Sequence, residues 1–232
     1  MSNPVAVVVG AGPGLGSALA RRFAGAGMTV AVARRNVDIL SDLAEEIGGK
    51  AYACDATDPA SVNSLFESVS GDLGTPGLVV YNAGTFQPGG ILEIDASAFE
   101  HCWRVGCLAG FNVGQAAARL MVPAGEGSII FTGATASLRG SARFANLAVP
   151  KFGLRALAQS MARELGPQGI HVAHVIIDGQ IAAERPGYNP AERGEDAVLA
   201  PAAIAEAYYQ VHCQPRSAWT HELDLRPWVE KF

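Results

Sequence analysis

The sequence predicts an α/β protein, with a doubly wound parallel β-sheet in a single domain of three layers (α/β/α). A length of 232 residues fits one such domain and suffices to bury a full core. Short runs of β-branched residues alternate with Ala/Leu/Arg-rich stretches of helical spacing, an order typical of parallel sheets. Apolar residues make up 49% of the chain and charged residues only 17%, as expected where helices cover both faces of the sheet.

Six strands and the helices between them are predicted in chain order. The first helix carries Leu15, Leu19 and Phe23 on one apolar stripe, whereas Arg21 and Arg22 turn outward. Because strands and helices alternate, the strands should pair in parallel through right-handed crossovers. The predicted strands are Val5–Val9, Met28–Ala33, Ala51–Cys54, Leu78–Tyr81, Ser128–Phe131 and His171–Ile177.

Three features are predicted in the rest of the chain. A long, Ala/Gly-rich helix over Ala98–Met121 should pack closely against a neighbouring helix or a second subunit. Residues 180–212, an irregular stretch followed by an Ala-rich helix near Ala202–Val211, are expected to form a substrate lid beyond a strand end. Near the C-terminus, Leu223 and Leu225 alternate as in an edge strand.

Composition narrows the class of partner. The formal net charge is -5 and no Lys/Arg-rich run occurs, which argues against nucleic acid and anionic membranes as partners. The four cysteines lack C-x-x-C pairing and metal-ligand spacing, a pattern that fits a reducing compartment and no metal site. No basic leader or apolar membrane span is evident in the sequence. We therefore expect a cytoplasmic protein with a small-molecule substrate.

A glycine-rich loop, "GAGPGLG", follows the first predicted strand directly and opens the first helix. Gly10, Gly12, Gly14 and Gly16 permit a tight turn and close approach of a ligand to the backbone. Free N–H groups at the start of the helix then face the ligand and favour an anion. The strand, loop and helix in this order predict a pyrophosphate site for a dinucleotide.

The end of the second strand indicates which dinucleotide is bound. Arg34 and Arg35 stand there, where a site for NAD(H) usually places a carboxylate to bind the ribose hydroxyls. Guanidinium groups can hold a 2′-phosphate bidentately. The sequence therefore favours NADP(H) over NAD(H), although two solvated arginines at a strand end remain the alternative.

The chain resembles the short-chain dehydrogenase/reductase family in four motifs between Val5 and Gly179. They are Gly10-x-x-x-Gly14-Leu15-Gly16, Asp55 after the third strand, "NAG" at 82–84, and Lys151. The resemblance implies a Rossmann-type fold in which the glycines hold phosphates, Asp55 meets the adenine and Lys151 binds the nicotinamide ribose. The expected cofactor contacts are Gly10, Gly12, Gly14, Leu15, Gly16, Arg34, Arg35, Asp55, Ala56, Asn82, Ala83, Gly84, Lys151 and Gly179.

The catalytic segment departs from the family. In "FANLAVPKFGLRAL", Leu147 stands four residues before Lys151, where the resemblance calls for the tyrosine that acts as general acid/base. Ala134 takes the place of the substrate-orienting serine, and Cys107 that of the asparagine supporting a proton relay. An alkyl side chain cannot transfer the proton that accompanies hydride transfer at a carbonyl, a role that contributes about 10² to 10⁴ in rate.

Other residues are candidates for the missing roles. Thr135, one position beyond Ala134, can bond a carbonyl, and Tyr188 on the predicted lid can approach the nicotinamide. Lys151, Thr135 and Tyr188 are therefore the predicted catalytic residues. Ser137, Ser141 and Arg143, on the loop before Lys151, can face the same pocket or serve as loop caps, whereas His171 and His174 are expected to be core residues of a buried strand.

Pro150 bears on the register of this segment. Proline favours the first turn of a helix and disfavours helical geometry in the residue before it. If the helix begins at Pro150, Leu147 lies outside it.

Two functions fit these observations. The first is an atypical NADP(H)-dependent oxidoreductase that transfers hydride to or from a small carbonyl, imine or alcohol. The second is a catalytically silent NADP(H)-binding sensor or partner subunit, suggested by the simultaneous loss of three catalytic side chains. In either case the resemblance implies a homodimer or homotetramer.

Overall fold

The computed structural model describes residues 3–183 and 189–230. Its seven strands form one parallel sheet in the order β3-β2-β1-β4-β5-β6-β7. They are β1 Val5–Val9, β2 Thr29–Arg34, β3 Lys50–Ala53, β4 Pro76–Tyr81, β5 Gly127–Thr132, β6 Ile170–Ile177 and β7 Glu222–Leu225. The helices are α1 Leu15–Gly25, α2 Ser41–Glu46, α3 Pro59–Asp72, α4 Ala96–Trp103, α5 Ala109–Ala124, α6 Ala145–Leu165 and α7 Pro201–His212.

Alternation along the strands builds a hydrophobic core on each face of the sheet. In β1 all five side chains are buried, with Val5, Val7 and Val9 in one core and Ala6 and Val8 in the other. Successive side chains of a strand point to opposite faces, so a strand buried on both sides needs an unbroken apolar run. The predicted three-layer α/β/α fold and its parallel sheet are therefore confirmed.

The six predicted strands are present with ends shifted by at most two residues, and Leu223 and Leu225 lie in β7 as predicted. The long helix is different. It runs from Ala96 to Ala124 as α4 and α5, joined by a π-helical segment at Arg104–Leu108. This span is apolar and long enough to cross a membrane, but half of its most apolar stretch is buried inside the fold, as in a core helix.

Helix α6 begins at Ala145 and not at Pro150, so Leu147 lies inside it. Pro150 cannot donate the usual backbone hydrogen bond to Asn146. Its ring is accommodated by Gly106 on the π-helical segment, where a Cβ atom would lie 2.6 Å from the Cβ of Pro150. The glycine opposite the proline thus makes room for it within the helix.

The segment expected to form the lid, residues 180–212, is irregular in the described part of its first half and helical in its second half. Its second half is α7, in which Ile204, Ala205, Tyr208 and Val211 are buried. Arg22 of α1 forms an ion pair with Glu206 of α7, so this helix is part of the packed body of the protein. Tyr188, the lid tyrosine predicted to be catalytic, lies outside the described residues.

A stripe of glycines on α5 sets how closely α6 approaches. A Cβ atom at Gly110 would lie 2.4 Å from Leu154 Cδ1, and both Leu154 and Tyr81 beside it are fully buried. We expect Gly110→Ala to lower the free energy of unfolding by about 1 kcal/mol, because overpacking costs about 1–3 kcal/mol and the gain in helix propensity is about 1. Gly71→Ala is the matched control.

Gly71 lies on α3 and is exposed, and a Cβ atom there meets nothing within 4 Å. This variant should be stabilised by the same helix propensity, since it adds no contact. Urea unfolding of both variants separates the two effects. Equal stabilisation of the two would show that α5 and α6 are not in close contact at Gly110.

Candidate active site

A cleft of about 350 Å³ opens at the carboxyl ends of β1, β2 and β4. Nine of the predicted cofactor residues line it: Gly10, Gly12, Arg34, Arg35, Asp55, Ala56, Asn82, Ala83 and Gly84. Crevices at this edge of a doubly wound sheet are where such folds bind ligands. Sequence reasoning missed other lining residues, among them Thr57 and Val105.

The glycine loop is held tightly against the neighbouring strand end. Gly10 has φ +89°, and a Cβ atom on it would lie 2.4 Å from the backbone nitrogen of Ala83. Gly14, with φ +94°, precedes α1, and no side chain caps the start of that helix. The uncapped N–H groups and close backbone packing fit the pyrophosphate of a dinucleotide.

The other loop residues have structural roles. Leu15 is buried in the core, so its side chain is turned away from the cleft. Gly16 packs on the backbone of Ala11, where a Cβ atom would lie 2.8 Å from the Cα atom of Ala11. Gly14 lines a second hollow on the other side of the loop, together with Ala182 and Ala183.

Two arginines border the cleft at the end of β2. The Arg34 guanidinium lies over the glycine loop, where a Cβ atom on Gly12 would be 2.8 Å from its Nη1. Asp55, across the cleft, accepts hydrogen bonds from the hydroxyl and backbone N–H of Thr57, at 2.7 and 2.9 Å. These bonds, with the charges of Arg35 and Arg104, hold the pKa of Asp55 below its ordinary value. Asp55 is therefore an ionised acceptor facing the cleft.

A chain of hydrogen bonds connects the glycine loop to the sheet and to α7. Asn82 donates from Nδ2 to the carbonyl oxygen of Gly10 (3.1 Å), and its Oδ1 accepts from the Thr132 hydroxyl (3.2 Å). Tyr208 in turn donates to Thr132 Oγ1 at 3.0 Å. Thr132 and Tyr208 were not predicted from sequence because their partners are distant along the chain.

Lys151 is buried, and its Nζ donates to the carbonyl oxygen of Thr132 at 2.7 Å. A Cβ atom on Gly84 would lie 3.9 Å from this Nζ, which places the amine beside the cleft. Burial lowers the pKa of Lys151 to about 8. One helical turn earlier on α6, Leu147 is half-buried and offers no titratable group.

Two further predicted site residues, Thr135 and Gly179, lie on the loops that follow β5 and β6. Thr135 is half-buried, and its Oγ1 donates to Asp178 Oδ1 at 2.5 Å. Gly179 has φ +150°, and a Cβ atom there would lie 2.7 Å from Pro227. The absence of a side chain at Gly179 therefore allows Pro227 to pack against it next to the site.

The alternative candidates on the loop before α6 are engaged elsewhere. Ser137 is buried, and its Oγ lies 3.3 Å from His174 Nε2. His174 is fully buried, and desolvation and the charge of Lys151 lower its pKa to about 4. Arg143 pairs with Glu93 at 3.0 Å on the exposed surface. His174 is thus a neutral core residue, as predicted.

Comparison with known proteins decides the family. The model of the short chain dehydrogenases matches residues 4–184. The chain belongs to the short-chain dehydrogenase family. That match agrees with the resemblance seen between Val5 and Gly179 and makes the chain a member of a family of NAD(P)(H)-dependent oxidoreductases.

Three relatives illustrate the likeness. A crystal structure of a short-chain dehydrogenase from Rhodopseudomonas palustris is 41% identical, with a TM-score of 0.84, covering 98% of this chain and 100% of that one. A metagenomic short-chain oxidoreductase in complex with NADP is 28% identical, with a TM-score of 0.84 and 98% of each chain covered. The 3-oxoacyl-(acyl-carrier-protein) reductase FabG of Escherichia coli is 28% identical over 182 residues, which are 78% of this chain and 74% of that protein.

Proposed function

We propose that the protein is an NADP(H)-dependent oxidoreductase that transfers hydride to or from a small carbonyl, imine or alcohol without the usual tyrosine acid on α6. The observation that carries the proposal is a cleft with an uncapped helix start and two arginines at the end of β2, beside which lies Lys151, one helical turn after Leu147 on α6. A bound nicotinamide supplies or accepts the hydride.

The residues of the cleft divide the work of holding NADP(H). Backbone N–H groups at the start of α1 would bind the pyrophosphate, and Arg34 and Arg35 the 2′-phosphate. Asp55 would accept from the adenine side, and Lys151 would donate to the nicotinamide ribose. Asn82, held by Gly10 and Thr132, keeps the glycine loop and the β4 end in register for that ligand.

The substrate side of the site is apolar. Phe86, two residues after Gly84, and Phe144, at the start of α6, pack with ring centroids 4.7 Å apart. Their exposed fractions are 38% and 37%, so both residues present apolar surface to solvent. This pair supports a small substrate with an apolar body, since such sites combine apolar walls with few polar groups.

Restoring the acid tests the proposal directly. We expect Leu147→Tyr to raise NADPH-dependent reduction of ketones, because a phenol one helical turn before Lys151 supplies the proton, a role worth about 10² to 10⁴ in rate. Leu147→Phe is the matched control and adds the ring without the hydroxyl. The assay is NADPH oxidation against a panel of aldehydes, ketones, imines and enones.

The rival function is a silent NADP(H)-binding sensor or partner subunit. It is favoured by the same alkyl residue, Leu147, and by Thr135, whose proton is directed to Asp178. In that case the wild-type chain binds NADPH tightly and oxidises it with no member of the panel, and binding changes the oligomeric state. Turnover by the wild-type chain contradicts it.

We also propose that the protein assembles as a homodimer or homotetramer. An apolar hollow of about 160 Å³ lies between α5 and α6, lined in part by Phe111, Leu157 and Met161. Phe111 is 42% exposed, which is costly for a large apolar side chain facing water. Sedimentation velocity should give the mass of two or four chains, and a monomer at micromolar concentration would contradict this.

A further inference from the structure

The hydroxyl of Thr135, which was predicted to meet the substrate, donates its proton to a carboxylate. Thr135 follows β5 and Asp178 follows β6, and their side chains form the 2.5 Å hydrogen bond described above. Asp178 is only 5% exposed, and its other oxygen lies 3.4 Å from Arg226 Nη2. The carboxylate is therefore buried, ion-paired and bonded to Thr135 at once.

The direction of this hydrogen bond follows from the chemistry of the two groups. An ionised carboxylate only accepts hydrogen bonds, so Thr135 must donate its single proton to Asp178. Thr135 Oγ1 can then only accept a hydrogen bond from a ligand. A ketone or aldehyde oxygen also only accepts and finds no donor there, whereas an N–H group does find an acceptor.

The carboxylates next to Thr135 also suit a cation. Asp224 is the second carboxylate bound to Arg226, so these three side chains carry a formal charge of minus one. A protonated imine brings both the positive charge and the N–H donor that this corner of the site can receive. Discrimination between two such substrates rests on the polar groups that the wrong one leaves unpaired.

The reaction of such a substrate needs no acid from the protein. When hydride adds to the carbon of a protonated imine, a C–H bond forms and the electron pair of the C=N π bond becomes the nitrogen lone pair. The product is a neutral amine, the dihydronicotinamide is oxidised to the pyridinium, and no further proton is taken up. Leu147 is then no obstacle to the reaction.

We propose that the reacting group is a protonated imine in reduction, or the corresponding amine in oxidation, with its N–H donated to Thr135 Oγ1 and Asp178 holding that hydroxyl in its accepting orientation. This inference rests on the proposed function and names its substrate class. Asp178 is a positioning residue that acts through Thr135.

Three bicyclic probes of similar size test the substrate class with the full-length protein and NADPH. They are 3,4-dihydroisoquinoline, which carries N–H when protonated, N-methyl-3,4-dihydroisoquinolinium, which carries charge without N–H, and neutral 1-tetralone. We expect kcat/KM to fall in that order, with a loss of about tenfold or more when N–H is replaced by N-methyl, as for a lost hydrogen bond to a charged group. Faster turnover of 1-tetralone than of either iminium probe overturns the inference and leaves the proposed function standing.

Variants test the role of the pair through the ratio of iminium to ketone turnover, which does not depend on the fraction of folded protein. Asp178→Asn and Thr135→Val should each lower this ratio at least tenfold, whereas Thr135→Ser retains it. Ser160→Ala, exposed on α6, is the control. An unchanged ratio in Thr135→Val overturns the inference even if Asp178→Asn does not fold.

Two further outcomes separate this inference from the proposed function. If NADPH binds and none of the three probes, nor any member of the wider panel, is reduced, both fail together. If ketone reduction predominates and disappears in Tyr188→Phe, the proposed function stands, while Tyr188 supplies the proton and the imine assignment is wrong.

Discussion

Lys151→Met is expected to abolish measurable turnover and weaken NADPH binding while making the protein more stable. The amine is buried, and desolvation lowers its pKa from 10.5 to about 8. At 1.36 kcal/mol per pKa unit, keeping the charged amine in the fold costs about 3 kcal/mol. Methionine removes this cost, whereas loss of the hydrogen bond to Thr132 destabilises the fold by about 1 kcal/mol. The net effect is a gain in stability.

The stability gained by Lys151→Met should depend on pH. Because the pKa of a base is lowered in the folded state, the unfolded chain binds the proton more tightly. The destabilisation by Lys151 is therefore fully present below about pH 8 and disappears as the pH rises towards 10.5. The stability gained by Lys151→Met, measured by urea unfolding, should be largest below pH 8.

Lys50→Met is the control for this experiment, since Lys50 is half-exposed on β3 and pairs with Asp72. It should leave NADPH affinity unchanged and gain no stability. Loss of both stability and binding in Lys151→Met would mean that Lys151 has a structural role, and unchanged turnover would remove it from the site.

Replacing both Arg34 and Arg35 by serine should reverse the preference for NADPH over NADH. Each guanidinium that binds the 2′-phosphate contributes about 1.5–3 kcal/mol through hydrogen bonds between charged groups. The double variant should therefore lose about 10² to 10⁴ in NADPH affinity while its NADH affinity changes little. Fluorescence titration with each nucleotide gives both constants.

Arg163→Ser serves as the matched control, because Arg163 lies exposed on α6 and donates to Gln159 far from the cleft. Its NADPH and NADH affinities should equal those of the wild type. Equal losses for the two nucleotides in the double variant would show that the arginines bind a group common to both. No loss for either would leave them as solvated residues at a strand end.

The parts of the fold that sequence predicts well are those set by local pattern. Each β-branched run becomes a strand because a sheet covered on both faces needs continuous apolar side chains, as in Val5–Val9. The glycine loop is equally local, since its turn, its positive φ at Gly10 and Gly14 and the helix after it are contiguous in the chain. Nine of the predicted cofactor residues line one cleft because each ends or follows a strand of the same parallel sheet, whose carboxyl ends lie side by side.

What sequence could not predict depends on contacts between distant residues. Pro150 pointed to a helix start, but Gly106, more than 40 residues earlier, makes the space that keeps the proline inside α6. The hydrogen bond of Thr135 to Asp178 likewise joins two loops that only the pairing of β5 with β6 brings together. The same holds for Tyr208 and Thr132, which tie α7 to the cleft.

The central claim is hydride transfer from NADPH in a site without a tyrosine acid on α6, and single-turnover kinetics test it most directly. Protein in excess over NADPH is mixed with each member of the aldehyde, ketone, imine and enone panel, and loss of the dihydronicotinamide absorbance is followed. We predict oxidation of bound NADPH by at least one member, with NADPH bound more tightly than NADH. Tight binding of NADPH without oxidation by any member would contradict the claim.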